Sequence, residues 1–330
     1  MWFIAQTSRS KFHYRKNSTQ VEVQVDVTED TLHAPVSIGE LARRTGVPVR
    51  TIRFYCDSGV LESRRSGGGH RVFDPAAADR LLLVRRLRAM GLPLAAIMRV
   101  LDGSESISEV AAAERAALDA ELEALRWRRA TLLAIESAPP QERARRLELL
   151  ARVHDRSVVI DSVVAFWRPI LGPLPQEEFD SFIDMNVPPM PSEPGPAQVV
   201  ACAELTALTT DPQVKTAMKQ QIWRSDRDRI SDRLQFVTSV AGAFEVAAPM
   251  VAAHESPHPG AELDQYVHAH AAARCERDTP RFRRALLTTG GTDTDPRLHR
   301  FWRLTADITG TETTVGAVHY WLLDALRQTV

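Results

Sequence analysis

SIGELARRTGVPVRTIRFYCDSGVLESRRSGGGHRVFD, residues Ser37 to Asp74, decides how the chain is read. Ser37 with Glu40 three positions on makes a capping box, which opens a short helix SIGELARR with Ile38, Leu41 and Ala42 on one face. Thr45-Gly46-Val47 breaks that helix, and Pro48 suits the start of a second one running to about Asp57. Two short helices across a glycine-containing turn are a helix-turn-helix. On the second helix Val49, Ile52 and Cys56 are placed inward, and Phe54, like Phe73 further on, is expected in the core. That leaves Arg50, Thr51, Arg53 and Tyr55 toward the exposed side, where arginine can hold guanine or phosphate with paired hydrogen bonds.

Downstream, Ser58-Gly59 closes the second helix, and Val60-Leu61 and Arg71-Val72-Phe73 are strand candidates flanking Ser66-Gly67-Gly68-Gly69. This pattern predicts a β-hairpin wing. Its glycines permit a tight tip, while Arg64, Arg65, His70 and Arg71 put positive charge beside a duplex backbone. The glycine spacing matches neither the dinucleotide nor the P-loop pattern and no long helix follows directly, so a phosphate cradle is set aside. Asp74-Pro75 starts a further helix with Leu81, Leu82, Val84, Leu87 and Met90 as core and Arg80, Arg85, Arg86 and Arg88 opposite. Gly91-Leu92-Pro93 interrupts it, and Leu94 to Leu101 completes a module over residues 36–102.

Charge separates this module from the rest. Residues 36–101 hold 12 arginines, no lysine and 5 acidic residues, whereas residues 102–330 carry a net −8 within a chain of net −1. Only the basic part suits a polyanion such as DNA. Cys56, Cys202 and Cys275 form no zinc-type spacing and no disulfide framework, which suits a reducing cytosol. Cys56 is read as a half-buried thiol in preference to a redox sensor. No apolar run is long enough to span a membrane, so the expected location is cytoplasmic, or nucleoid-associated if the source is bacterial. Residues 1–35, with one alternating Val21 to Val27 segment, are expected to be a disordered extension.

SIGELARRTGV, TIRFYCDSGVL, GHRVFD and RRLRAMGLPLAAI follow one another in the order and spacing of the MerR family of transcription regulators. The chain resembles that family from Val36 to about Ile135. The resemblance implies a homodimer on a pseudo-palindromic promoter, with the Pro48 to Asp57 helix in the major groove and the wing on the backbone. The DNA-contact positions it assigns are Arg50, Thr51, Arg53, Tyr55, Arg64, Arg71 and Phe73, beside the basic wing residues Arg65 and His70. Two departures are Cys56-Asp57, where the acidic residue more often follows the Tyr directly, and Phe73, where Tyr is commoner. Metal-sensing members carry cysteines at and after the start of the dimer helix; this chain has neither, which disfavours metal sensing.

Residues 106–137 are rich in Ala, Glu, Leu and Arg with no Pro or Gly, as a long solvent-bathed helix requires. Leu118, Leu125 and Leu132 recur every seven residues with Leu122 between the first two, which reads as a short coiled-coil seam or as one helix of a bundle. The family resemblance favours an antiparallel dimerisation helix. After Ala138-Pro139-Pro140, residues 141–330 are expected to be an all-α effector domain. Its candidate helices are Glu142 to Leu171, Gln176 to Met185, Ala197 to Thr209, Pro212 to about Ala248, Gly260 to Arg277, Pro280 to Leu287, Pro296 to Thr309 and Thr314 to Thr329. The stretch Pro188 to Pro196 reads as a linker or lid.

Aromatic residues punctuate this domain. Most are needed as core, and a subset suits a pocket for a small apolar ligand. DPRLHRFW (Asp295 to Trp302) and the terminal WLLDAL resemble the end of the thiopeptide-binding effector domains of some MerR regulators, over a stretch too short to name a ligand. His254/His258 and His268/His270 complete no ligand set, so no metal site and no cofactor is expected. The run Arg224 to Arg229 with Asp232 and Arg233 reads as a self-paired, solvated helix face. No nucleophilic elbow, HExxH or paired carboxylate set appears, so no enzyme is expected. The expected function is a promoter-binding regulator that engages RNA polymerase indirectly through the promoter. The alternatives are a drug- or metabolite-sequestering protein with an autoregulatory DNA-binding part, and an enzyme fused to such a part.

Overall fold

A computed structural model describes residues 35–172, 174–224 and 230–330. The chain divides into two compact units, one ending at Arg115 and the other beginning at Ala116, each described by itself. Apart from Pro35, the expected disordered extension lies outside the described residues.

The first unit runs β1 (Val36–Ser37), α1 (Ile38–Thr45), α2 (Val49–Asp57), β2 (Arg64–Arg65), β3 (Arg71–Phe73), α3 (Ala77–Ala89) and α4 (Leu94–Leu101), then enters α5 (Ile107–Glu136). Half of the expected capping box forms at α1: the Glu40 amide donates to Ser37 Oγ at 3.2 Å, while the Glu40 carboxylate turns to Arg43 instead. Gly46 ends the helix at φ +68°, the left-handed conformation that glycine adopts without a Cβ penalty. Leu41, Ile52, Leu81 and Phe73, all at most 2% exposed, form the core that locks α1, α2, α3 and the sheet together. A second, complete capping box starts α5, where Ser106 N donates to Glu109 Oε2 at 2.7 Å and Glu109 N to Ser106 Oγ at 3.2 Å.

Several local expectations need correction here. Val60-Leu61 is not a strand: both amides donate to the Tyr55 carbonyl, at 2.9 and 3.2 Å, so the chain folds back on α2 and buries both side chains. The sheet order is instead β1-β3-β2, antiparallel, with Val36 opposite Phe73 and Arg64 opposite Val72. Phe54 is 56% exposed because it sits two positions past the buried Ile52, on the far side of the helix. Met90, at the end of α3, is also exposed.

In the second unit the distal part of α5 is followed by α6 (Pro140–Leu150), α7 (Arg156–Leu171), α8 (Gln176–Asn186), α9 (Pro196–Thr209) and α10 (Pro212–Trp223). Then come α11 (Arg233–Ala252), α12 (Ala261–Ala272), α13 (Pro280–Thr288), α14 (Pro296–Thr309) and α15 (Val315–Arg327). The all-α expectation holds among the described residues. Asp211-Pro212, Thr279-Pro280 and Asp295-Pro296 each pair a capping side chain with a proline in the first turn, which is why three helices begin there.

Two expected long helices are broken. Glu142 to Leu171 splits because Asp155 caps a new helix, its carboxylate accepting from Ser157 N at 2.8 Å. Pro212 to Ala248 splits at Arg224, which is left-handed (φ +50°). Nor is Pro188 to Pro196 a free linker: Met190 packs on the main core, 3.8 Å from Cys202 Sγ.

α7, α9 and α14 enclose one core around Val163, Phe166, Leu205 and Phe301, and α11, α12 and α15 a second around Ala243, Tyr266 and Leu322. α11 corrects the reading that no segment is long and apolar enough to cross a membrane, since by length and composition it qualifies. Its apolar residues have other partners: Ala243 and Ala247 enter the second core, and Phe236, Val237, Val240 and Phe244 line a cavity.

Candidate nucleic-acid interface and an aromatic cavity

Helix α2 is nine residues long, and its buried Ile52 fixes which side faces out. Arg50 and Arg53, one turn apart, are exposed and form no ion pair among the described residues; Thr51 and Tyr55 are half-buried. The Tyr55 ring packs against both cores of the first unit, so its body is structural and only its rim is free for contact.

In the wing, β2 and β3 are joined through a turn in which Ser66 N donates to His70 O and Gly69 N to Ser66 O, each at 2.8 Å, with Gly69 at φ +78°. Arg64, Arg65 and His70 are exposed. Pleating sends alternate residues to opposite faces, so Arg65, Arg71 and Phe73 share one face and Arg64 shares the other with Val72. Phe73, assigned to DNA contact by resemblance, is 2% exposed and belongs to the core opposite Val36; its position is a support for the wing. Arg71 is half-buried and donates to Asp57 Oδ1 at 2.8 Å, which ties the wing to the end of α2. Beside this pair, burial pushes the Cys56 thiol up, the nearby Arg71 opposing the shift, so it stays protonated at neutral pH.

Not every arginine in the basic module is free. Arg80 Nε donates to Val60 O at 2.9 Å, Arg85 Nη1 to Thr45 O at 2.8 Å and Arg88 Nη1 to Leu92 O at 2.8 Å, each satisfying a carbonyl at a turn or helix end. On α5, Leu118, Leu122, Leu125 and Leu132 are each about half exposed, while Trp127, Ala130 and Ala134 on the same helix enter the second unit's core. The helix therefore has one face used and one apolar face left half exposed among the described residues.

The second unit holds what the sequence reading did not locate. A cavity of about 80 Å³ is lined by Trp167, Phe182, Phe236, Phe244, Tyr266 and Trp302, with aliphatic residues of α11. An adjoining one of about 380 Å³ shares Met185, Asn186, Phe244, Trp302 and Val315 with it and leads past Pro188 and Pro189 to the exposed Thr311. Trp302 lies flat on Gly316, where any Cβ would strike the indole.

Behind the inner cavity lies a buried polar cluster. Arg224, 1% exposed, pairs with Asp293 and donates to Tyr266 Oη at 3.1 Å. Gln221 Nε2 donates to Asp293 Oδ1 at 3.2 Å, and His319 Nε2 lies 3.4 Å from the same oxygen. Burial pushes the Asp293 carboxyl up, but the His319 hydrogen bond and the Arg224 charge outweigh it and hold the group down at about 2. Burial lowers His319 and carries His270 well below its ordinary value, with the Arg224 and Arg274 charges adding to the second shift, so both rings are neutral at pH 7. Arg274 Nη1 donates to His270 Nδ1 at 3.3 Å, which leaves the His270 proton on Nε2.

The reading of Arg224 to Arg229 as a solvated face is thus overturned at Arg224; Ser225 to Arg229 lie outside the described residues. The signal that was available is Gly290 in the Gly290-Gly291 breaker, since a Cβ there would collide with Arg224 and Asp293. Among the described residues no cluster of His, Cys, Asp and Glu is arranged to hold a metal ion.

Residues 36–104 match the family described as MerR HTH family regulatory protein. The nodulation protein NolA of a Bradyrhizobium species is 43% identical over 74 residues, 22% of this chain and 31% of that protein. The HTH-type transcriptional activator TipA of Streptomyces coelicolor is 42% identical over 67 residues, 20% of this chain and 26% of that protein. The HTH-type transcriptional regulator HmrR of Rhizobium leguminosarum bv. viciae is 36% identical over 56 residues, 17% of this chain and 43% of that protein. The match thus spans about a third of the length of the nodulation and activator relatives. No solved structure matches the chain.

Proposed function

Residues 36–104 being a MerR-family helix-turn-helix module, we propose that the chain is a transcription regulator that binds promoter DNA through it. The observation that carries this reading is the pair Arg50 and Arg53, exposed and free of ion pairs among the described residues, on a short helix anchored by Ile52. In the major groove such a pair reads base edges, with Thr51 and the Tyr55 rim beside it. Arg64, Arg65 and His70 on the wing supply backbone contacts, and Arg71 sets the wing angle through Asp57.

Two copies join along Leu118, Leu122, Leu125 and Leu132, an apolar row about half exposed among the described residues. The dimer bends and untwists a pseudo-palindromic promoter, so that RNA polymerase engages it indirectly, at a deformation cost of several kcal/mol. The second unit senses a small apolar ligand and biases the dimer between two states. This activity places the chain in the cytoplasm, on the nucleoid of a bacterium.

The test is fluorescence anisotropy with the DNA upstream of the chain's own gene. The wild type binds a dyad there, and Arg50→Ala with Arg53→Ala abolishes sequence preference; retained preference overturns the assignment. Leu118→Lys with Leu125→Lys yields monomers in sedimentation; an intact dimer overturns the seam.

A further inference from the structure

Five tryptophans are described, and their indole N–H groups divide into two sets. Trp127 donates to Val153 O at 3.4 Å, Trp223 to Ile170 O at 2.9 Å and Trp321 to Glu255 O at 2.8 Å. Trp167 and Trp302, both buried and both lining the inner cavity, donate to nothing. A buried N–H without a partner is costly, so its recurrence at one cavity and nowhere else among the described tryptophans points to an acceptor that comes from outside the chain.

The walls restrict what brings that acceptor. α11 turns Phe236, Val237, Val240 and Phe244, spaced i, i+1, i+4 and i+8, toward the cavity, and most of these are only half-buried although apolar. The wall is built to be covered by an apolar body. No ionised side chain lines it: the polar lining residues are Asn186, Gln221, Tyr266, His270 and His319. The buried cation behind it, Arg224, already has Asp293 and Tyr266.

Resting on the sensing role proposed above, we infer that this cavity binds an uncharged, largely apolar ring system bearing carbonyl or ether oxygens, which accept from Trp167 and Trp302. A cationic ligand would lose its hydration with no carboxylate in the lining to replace it. An anionic one would lose its hydration with no free cation in the lining to replace it. The adjoining cavity, with Thr305, Thr309, Thr311, Thr313 and Thr314 along its wall, accommodates the more polar end of the same molecule nearer to solvent.

The experiment uses the full chain with four naphthalene probes: the neutral ketone Prodan, its counterpart lacking the carbonyl, anilinonaphthalene sulfonate and a naphthyl trimethylammonium salt. The ketone is expected to bind at one site per chain, quench tryptophan emission and shift its own emission to the blue. The two charged probes are expected to bind at least about tenfold more weakly, the scale of one lost interaction. Trp302→Phe keeps an aromatic ring but removes the N–H with part of the indole, so it weakens the ketone by about fivefold more than the carbonyl-free probe. Val240→Trp fills the cavity and abolishes both, with circular dichroism confirming the fold.

Failure of the ketone to bind, equal loss of ketone and carbonyl-free probe in Trp302→Phe, or charged probes binding as tightly as the ketone would each overturn the assignment. Promoter bending and DNA occupancy at saturating ketone, read by permuted-site gel mobility and anisotropy, separate the two readings. No change in either with the binding pattern intact overturns the sensing role and leaves the site standing.

Discussion

Arginine does opposite jobs in the two units. In the first, Arg50, Arg53 and Arg64 are exposed, on short elements held by a few aliphatic residues, and their charge faces solvent. In the second, Arg224 is 1% exposed, its charge is matched by Asp293, and the pair stands behind an aromatic cavity. An exposed arginine on a rigid helix is available to a partner, whereas a buried one is committed to its own fold. The two therefore fail differently when removed, and that difference is measurable.

The largest expected effect is at Arg224. Arg224→Met strands the Asp293 carboxylate among Gln221, His319 and Tyr320, and the loss of stability is about 3–5 kcal/mol, as for other buried pairs deprived of one member. Asp293→Asn is expected to be comparably harmful, and Arg224→Met with Asp293→Leu less so than either alone, because no unmatched charge remains. Thermal unfolding of the four proteins checks this; additive losses would mean that the pair is not coupled.

Arg50→Ala and Arg53→Ala invert the pattern. Each is expected to weaken DNA binding by about 1–3 kcal/mol while changing unfolding by less than about 0.5 kcal/mol. Arg64→Ala, on the wing face opposite Phe73, is expected to lower affinity evenly across sequences and to flatten the salt dependence by about one unit. A base-specific loss at Arg64 would exchange the roles of helix and wing.

What was legible in the sequence follows the same division. Ser37, Gly46, Pro48 and the periodic apolar positions act within a few residues of themselves, so the helix-turn-helix, its exposed arginines and the start of α5 could be read from local spacing. The strand at Val36–Ser37 was missed because it exists only through its partner, Phe73, far along the chain. For Phe73 the residue type pointed to core and the resemblance to contact; burial depends on what lies opposite, and its 2% exposure bears out the core reading. The Arg224 cluster draws on residues 69 and 42 positions away, Asp293 and Tyr266, and no local periodicity encodes such a meeting. Nor does any spacing distinguish Trp302, whose N–H lacks a partner, from Trp321, which finds Glu255.

Acid distinguishes the units next. His270 and His319 have folded values below the ordinary 6.5, so between those values and 6.5 the unfolded chain holds protons that the folded chain refuses. Their contribution is complete above pH 6.5 and is lost as pH falls below it, by about 1.4 kcal/mol per pH unit for each ring. Asp293, held at about 2 against 3.8, adds a loss at lower pH still, as it too must take up a proton. The first unit's one histidine among the described residues, His70, is exposed. Melting between pH 8 and pH 5 is expected to show the second unit weakening first, with a shallower slope in His270→Gln.

The last comparison replaces glycine, not arginine, and sets the units against each other with one and the same methyl group. At Gly46→Ala the new Cβ stands 3.2 Å from Arg85 Nη1, the far end of an exposed side chain that needs to give by only a few tenths of an ångström and can keep its bond to Thr45 O. What remains is the left-handed φ of +68°, worth about 1 kcal/mol for a residue with a side chain. At Gly290→Ala the new Cβ falls on Arg224 and Asp293, which are locked to each other and cannot yield without breaking the pair. The same substitution should thus be mild beside a solvent-facing arginine and severe beside a buried one. Equal melting temperatures for the two variants would show that the Arg224 pocket is more compliant than its burial implies.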